Sequence, residues 1–393
     1  MRFGFCGPSN SPYSVSADSQ RTVNLFPELV ESGKGKNDFT LYGTPGLSHL
    51  VTLMKAVIVG GGAGYTANDV LTITGGTGTA ATLKVTSVAA GVIDGIQVLT
   101  GGNYSVNPSN PVSVTGGTGT GATFTLTFAT VIKTQYYDTA TGRIFAVALF
   151  TGGSVRLIEI FLGGTETDRG ELAAANGTSI PASISSNGLE LLIINPETTE
   201  TAHILNLATN TLTDVTASVA GGGPIWGQFM DQYFIALGRD GKIYLSGLLD
   251  GLTWDALDVA TPESSPDLAR MVLVLGSKLL IFGDESVEPW FDSGDADFPF
   301  KPIEGIIIRS GLLHTFSPAA LGGTAVWVGR GKEGREIVWM LEGYTPVRIS
   351  THAIEASLQA KSVTGAKPVS WAYQQHGHHF FILTYPDDGL TWA

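Results

Sequence analysis

A few stretches of the sequence carry side chains able to do chemistry. His376, His378 and His379 form a His-x-His-His run, and imidazoles at that density can ligate a transition metal. In an extended strand His376 and His378 share a face while His379 points away, and no cysteine or evident carboxylate nearby completes a ligand set, so a solvated or interface role fits better. Asp292, Asp295 and Asp297 stand beside Gly294, with too few oxygens and the wrong spacing for a calcium loop. Glu285 with Glu288, or Asp255 with Asp258, are the residue types of a glycosidase pair. Nothing in the sequence brings one pair across a cleft, and no Gly-x-Ser-x-Gly elbow stands out. Val57-Ile58-Val59-Gly60-Gly61-Gly62-Ala63-Gly64-Tyr65 has the glycine density of a dinucleotide-binding turn. That turn needs a following helix to receive the pyrophosphate, whereas Leu71-Thr72-Ile73-Thr74 reads as a strand. The expectation is no catalytic residue, no metal site and no cofactor.

The elements that position these residues read as strands. Gly is abundant, at 51 of 393 residues, and only 15% of residues are charged, which suits many short strands joined by turns that need positive φ. Hydrophobic residues make up 43% and run the whole length, so the chain has the material for a core. Apolar strands recur about every 40–50 residues: Arg143–Val147, Leu189–Ile194, Gln232–Leu237, Lys278–Phe282, Ala325–Val328 and His379–Leu383. That spacing predicts β-propeller blades of four strands, a fold that leaves few exposed sheet edges. Trp226, Trp254, Trp290, Trp327, Trp339 and Trp371 fall in separate repeats, as expected if each blade packs one large side chain against its neighbour. One short helix is expected near 351–361, with Thr351 as its cap.

Residues 57–129 differ in texture, being rich in Gly, Thr, Val and Ala and almost free of charge. Gly61-Gly62-Ala63-Gly64-Tyr65 is echoed by Gly101-Gly102-Asn103-Tyr104, and Thr74-Gly75-Gly76-Thr77-Gly78-Thr79 by Thr115-Gly116-Gly117-Thr118-Gly119-Thr120. Two tandem copies of one β unit are therefore expected, inserted into a larger fold. Three parts follow: an N-terminal arm with the first strands (1–56), the inserted module (57–129) and the propeller-like main domain (130–393). The predicted fold class is all-β.

Lys plus Arg number 22 against 35 Asp plus Glu, a formal charge of −13. Phosphate-gripping proteins carry basic patches, and no basic run exists here, so sequence-specific DNA binding is not expected. A negative surface suits DNA that passes without sticking. Cys6 is the single cysteine, which fits assembly in a reducing cytoplasm. The N-terminus lacks the apolar stretch of a signal peptide, and no apolar run is long enough for a membrane span.

Several motifs in a shared order carry a resemblance. They are Arg21-Thr22-Val23-Asn24-Leu25-Phe26-Pro27-Glu28, Gly43-Thr44-Pro45-Gly46-Leu47, and Tyr244-Leu245-Ser246-Gly247-Leu248-Leu249-Asp250 with Trp254 downstream. Asp292–Phe300, Gly343-Tyr344-Thr345-Pro346-Val347-Arg348-Ile349-Ser350-Thr351 and the strand Gly377–Thr384 complete the set. Over roughly 1–56 and 130–393 the chain resembles the packaged-DNA stabilisation, or tail hub (nozzle), family of short-tailed phages. The resemblance implies a hexameric ring of propeller-like subunits in the virion tail, below the portal and its adaptor (head-completion) ring. Such a ring retains packaged DNA, conducts it during ejection, meets a tail needle or plug and presents its sides to tailspike or fibre proteins, after assembly in the host cytoplasm. Candidates for fold or assembly roles are Asn24, Phe26, Pro27, Pro45, Phe298, Pro299, Phe300, Tyr344 and Arg348. Two departures are the 57–129 repeat, which interrupts the first blade, and the end at Trp392-Ala393 inside a repeat, which leaves room for a further C-terminal part. The alternatives are a carbohydrate-binding propeller for receptor recognition and a glycan-degrading tail enzyme.

Overall fold

The computed structural model describes residues 25–29, 39–43, 54–161, 165–175, 177–197, 201–219, 223–262, 267–295, 298–331, 334, 336–362, 368–375, 377–385 and 390–392. The chain divides into two compact units, Ser48–Val259 and Met1–Leu47 with Ala260–Ala393. In the second unit the N-terminal segment contributes a hairpin, β1 (Leu25–Leu29) paired antiparallel with β2 (Phe39–Gly43).

The unit Ser48–Val259 opens with the glycine- and threonine-rich repeat. Its strands are β3 (Met54–Ala63), β4 (Val70–Ile73), β5 (Thr77–Thr79), β6 (Thr82–Ala89), β7 (Val92–Thr100), β8 (Asn103–Val106), β9 (Val112–Thr115) and β10 (Thr120–Asp138). They pair antiparallel in the order β3-β10-β9-β4-β6-β7, with β5 on β8. That order is symmetric under exchange of the two repeats. The first strand of each copy, β3 or β7, pairs with the closing strand of the other, β10 or β6 for the outer ladder. The register agrees as well, since Thr79 faces Asn103 as Thr120 faces Ala63. The two ends of the sheet then approach, because a Cβ added to Gly61 of β3 would lie 2.5 Å from Val92 Cγ1 and Ile93 O of β7.

Equivalent positions fill the interior: Leu71 with Val112, Leu83 with Phe124 and Val85 with Leu126 are all buried in one cluster. The repeated glycines explain themselves in the same way. Gly62 has φ 64° and Gly102 φ 70°, conformations that side chains rarely adopt. A Cβ at Gly62 would sit 2.5 Å from Thr120 O, and one at Gly102 2.6 Å from Thr79 O, each also meeting the ring of the following tyrosine. Gly60–Ala63 therefore form the end of β3, paired with β10, and open no helix, which answers the dinucleotide-turn pattern.

Strand β10 continues past the repeat. Its second half pairs with β11 (Arg143–Phe150), which leads through β12 (Val155–Ile160) to β13 (Glu166–Ala173) in an antiparallel meander. Register shifts at Ala129/Val131 and Ile132/Thr134 mark where the strand changes partners, the use to which bulges are commonly put. Residues 129 and 130 thus lie within one strand shared by the repeat module and the first meander. Two further meanders complete this unit: β14 (Ser183–Ser186), β15 (Glu190–Asn195), β16 (Thr201–Asn206) and β17 (Leu212–Asp214), then β18 (Pro224–Met230), β19 (Tyr233–Gly238), β20 (Ile243–Gly247) and β21 (Asp250–Ala260). The first strands β10, β14 and β18 are neighbours.

The other unit repeats the pattern with β22 (Ala269–Leu275), β23 (Lys278–Gly283), β24 (Val287–Asp292) and β25 (Phe300–Pro302), then β26 (Ala319–Leu321), β27 (Thr324–Arg330), β28 (Glu336–Glu342) and β29 (Thr345–Arg348). Helix α1 (His352–Ser362) and a three-stranded sheet of β30 (Val369–Gln375), β31 (His378–Tyr385) and β32 (Leu390–Trp392) follow. Thr351 stands at the helix start, where its Oγ1 accepts from Ile354 N at 3.4 Å, a long contact, and its carbonyl accepts from Glu355 N at 3.0 Å.

These five four-stranded meanders are the blades of a β-propeller, as the periodicity predicts. The six apolar runs named above fall in β11, β15, β19, β23, β27 and β31, the second strand of each meander or sheet. Such strands are buried on both faces, so they read as continuous apolar runs without alternation; Glu190–Asn195 is buried at every position. The tryptophans do not occupy one repeated position. They sit in β18, β21, β24, β27, β28 and β30, and range from fully buried Trp327 to Trp371 at 36% exposure. Trp327 bridges two blades through an aromatic contact, its ring edge-on to Phe282 with centroids 5.6 Å apart.

Candidate functional site

Asn24 and Pro45 lie outside the described residues, as do His376 and Asp297. Phe26 and Pro27 are in β1, opposite Tyr42 and Leu41. The Asp292–Phe300 motif is the loop from β24 to β25. Asp292 Oδ1 accepts from Gly294 N at 2.7 Å, and Ser293 closes the loop by donating from N and Oγ to Pro299 O at 2.7 and 2.8 Å. Asp295 pairs with Lys301. Pro299 and Phe300 are buried, and Phe298 stands edge-on between Trp290 and Phe300, with centroids 6.4 Å from each. This motif folds the outer part of the fourth blade.

Tyr344 and Arg348 belong to the fifth blade. Lys278 Nζ, from the fourth, lies 4.4 Å from the Tyr344 ring centroid, a cation–π contact between blades. Arg348 forks onto Glu355 with Nε to Oε1 and Nη2 to Oε2 both at 2.5 Å, and Nη2 also meets His352 Nδ1 at 2.9 Å. Glu355 is buried and accepts from Ser350 Oγ at 2.7 Å. Arg348 therefore ties β29 to α1. Among the described residues these candidates fall in different blades: Phe298–Phe300 serve one, Tyr344 and Arg348 the next.

The remaining chemistry-bearing residues are also placed. His378 is half-buried and His379 exposed, and no group of three or more metal-ligating side chains occurs among the described residues. Glu285 is exposed while Glu288 is buried in β24. Asp255 and Asp258 lie on the outer strand β21; partial burial, with Asp255 nearby, raises the Asp258 carboxyl above its ordinary range.

Three charged clusters that sequence reading missed are buried in the unit Ser48–Val259. Glu159 receives Arg143 Nε and Nη2, both at 2.7 Å, and Arg169 Nε at 2.6 Å, while Arg143 Nη1 reaches Leu207 O at 2.7 Å. Burial pushes the Glu159 carboxyl up, and the two guanidiniums more than reverse this. Lys133, with no side-chain exposure, pairs with buried Glu197, whose oxygens also accept from Thr178 N at 2.9 Å and Oγ1 at 2.8 Å. Burial lowers the Lys133 ammonium below its ordinary range.

The third cluster lies where the repeat module meets the first blade. A cavity of about 440 Å³ opens there, lined by residues of β3, β6, β7, β12 and β13. Glu166, 3% exposed, accepts from Met54 N through Oε1 at 2.9 Å, while its Oε2 is buried with no hydrogen-bond partner. Burial, with Asp168 adding repulsion, pushes this carboxyl up to about 8. A sequence signal for it was absent because its partner is 112 residues away.

With this geometry in place, the comparisons decide the family. The profile of the family described as "Bacteriophage P22 Gp10, beta-propeller" matches residues 94–393. The chain belongs to this family of phage stabilisation proteins. It is accordingly a structural, DNA-stabilising β-propeller protein of the phage particle. The match begins at β7, inside the repeat module. Among solved structures, one similar chain is from "Crystal Structure of Mitotic Checkpoint Complex", at 10% identity and TM-score 0.41, covering 65% of this chain and 72% of that one; at that level the likeness bears on no argument here. No curated protein matches the chain.

Proposed function

We propose that the protein is the tail hub, or nozzle, of a short-tailed phage. In this reading six copies form a ring beneath the adaptor ring that follows the portal. The ring continues the DNA channel, helps to hold packaged DNA and conducts it during ejection. A needle or plug closes its outer end, and tailspike or fibre proteins dock on its sides. The observation that carries the reading is family membership across 94–393. The net charge of −13 supports it, because like charge keeps a passing polyanion from sticking. No enzymatic role is assigned.

A surface for ring contacts is supported by neighbouring turns of the first three blades. Leu189, Leu248, Leu249 and Tyr137 are 62%, 59%, 42% and 59% exposed. The turns adjoin: Asn187 Nδ2 donates to Leu249 O at 3.4 Å, and Gly188 lies near Ala140. Large apolar side chains grouped in this way mark interaction surfaces. The test is depletion of the protein from particles followed by addition of the purified chain. Particles lacking it should lose their DNA, wild type should restore retention, and Leu189→Asp with Leu248→Asp should fold but fail to restore it. Stable retention in depleted particles would refute the role.

A further inference from the structure

We infer that the glycine- and threonine-rich module is a hinged arm, pivoting where Met54 and Phe128 pair and latched to the first blade by Glu166. The two chain connections of the module lie side by side. β3 begins at Met54, the module's part of β10 ends at Phe128, and these two residues are register partners. From Ala129 onward β10 takes β11 as its partner, with a register shift at Ala129/Val131, so the joint is a single pair of strands. The interiors are separate: the module buries Leu71, Leu83 and Phe124 in one cluster, and the first blade buries Ala148, Phe150 and Ile158 in another. Between them the seam is incompletely filled, because the cavity of about 440 Å³ lies there. Two parts with their own cores and a loosely packed seam are free to move against each other.

The latch is polar. Glu166 of β13 accepts from Met54 N at 2.9 Å, and Gln97 Nε2 of β7 donates to Thr167 Oγ1 at 3.3 Å. Glu166 Oε2 is enclosed without a partner, so closing the arm buries the carboxyl and swinging the arm out returns it to water. The charged groups facing Glu166 are Asp168 on its own strand, paired with Arg156 Nε of β12 at 2.6 Å, and Lys55 of β3. Lys55 is half-buried and makes no bond to Oε2. The cavity-lining residues of β6 and β7, Thr86, Ile96, Gln97 and Val98, are uncharged.

Opening is therefore coupled to a proton. The closed arm holds Glu166 protonated, in keeping with a carboxyl pushed up to about 8 by burial, and the open arm lets it ionise. Opening becomes easier as pH rises from the ordinary value of 4.5 towards the closed one, and levels off above it. From pH 6 to pH 8 the opening constant should rise about fiftyfold. The experiment is amide exchange of the full chain labelled with [15N]methionine, followed by NMR across that range. With five methionines the spectrum is simple: Met54 reads the latch, and Met230, buried in the third blade of the same unit, reads general unfolding. Corrected for intrinsic rates, Met54 should exchange at least tenfold faster than Met230 and gain about fiftyfold from pH 6 to pH 8, a gain that Glu166→Gln should abolish. Bridging Gln97→Cys to Thr167→Cys with dibromobimane, in a Cys6→Ser background, should suppress the exchange at pH 8 with Glu166 intact. Equal protection of Met54 and Met230, the same pH response in Glu166→Gln, or undiminished exchange in the bridged protein would each overturn the inference; the last would mean that Glu166 moves alone.

Discussion

Glu166→Gln should make the protein more stable, and increasingly so as pH rises. The ordinary value for this carboxyl is 4.5 and burial moves it to about 8. An acid whose folded value is raised contributes fully below its unfolded value, and that contribution is lost as pH rises towards the folded one. Linkage at about 1.36 kcal/mol per unit gives a loss of roughly 1 kcal/mol at pH 5 and nearly 5 kcal/mol at pH 9. Glutamine keeps an oxygen for Met54 N and cannot ionise, so it escapes the loss. The stability difference between variant and wild type should thus grow by about 4 kcal/mol from pH 5 to pH 9. Urea unfolding of both proteins at each pH, fitted with a shared slope, reads this as a shift in midpoint. If the two compact units unfold separately, hydrogen exchange in β3 and β13 identifies which transition carries the shift. A difference that stays flat across the range would refute the claim that Glu166 is held desolvated.

Other perturbations test other joints of the structure. Lys133→Met leaves Glu197 buried without its cation and should cost about 3–5 kcal/mol, read as a lower unfolding midpoint. Phe300→Ala empties a site that is 1% exposed and should cost about 3–5 kcal/mol; normal stability would remove the loop from the blade core. Arg348→Ala removes a bidentate pair to Glu355 and should cost about 1.5–3 kcal/mol, with loss of helical circular dichroism from α1. Gly62→Ala and Gly102→Ala should destabilise to similar degrees, each by at least about 1 kcal/mol, because both meet a strand carbonyl at positive φ. Unequal effects would argue against the symmetry of the module.

Much of the fold could be read directly from residue patterns, for a local reason. The second strand of each blade is enclosed on both faces, so Leu191-Leu192-Ile193-Ile194 and Phe234-Ile235-Ala236-Leu237 stand out as unbroken apolar runs. The duplicated glycines gave the repeat because turn geometry is written in single residues. What stayed hidden depends on distant pairing. Nothing local says that β3 bonds to the second copy's closing strand, or that β10 serves both the module and a blade. Lys133 and Glu197, and Met54 and Glu166, are far apart in sequence and unremarkable where they stand. The tryptophans misled in the opposite direction: they read as one per repeat, yet Trp327 and Trp339 share the fifth blade, and the six occupy four different strand positions within the blades and β30. Phe298–Phe300 were singled out by resemblance, and the aromatic stack that Phe298 makes with Trp290 and Phe300 gives them a physical reason.

The hub reading is tested most directly by cryo-electron microscopy of purified particles, reconstructed with no symmetry imposed on the tail. The account predicts six copies of this chain in a ring beneath the adaptor, with DNA or a plug on the axis. A chain found singly or in threes at the particle periphery would contradict it.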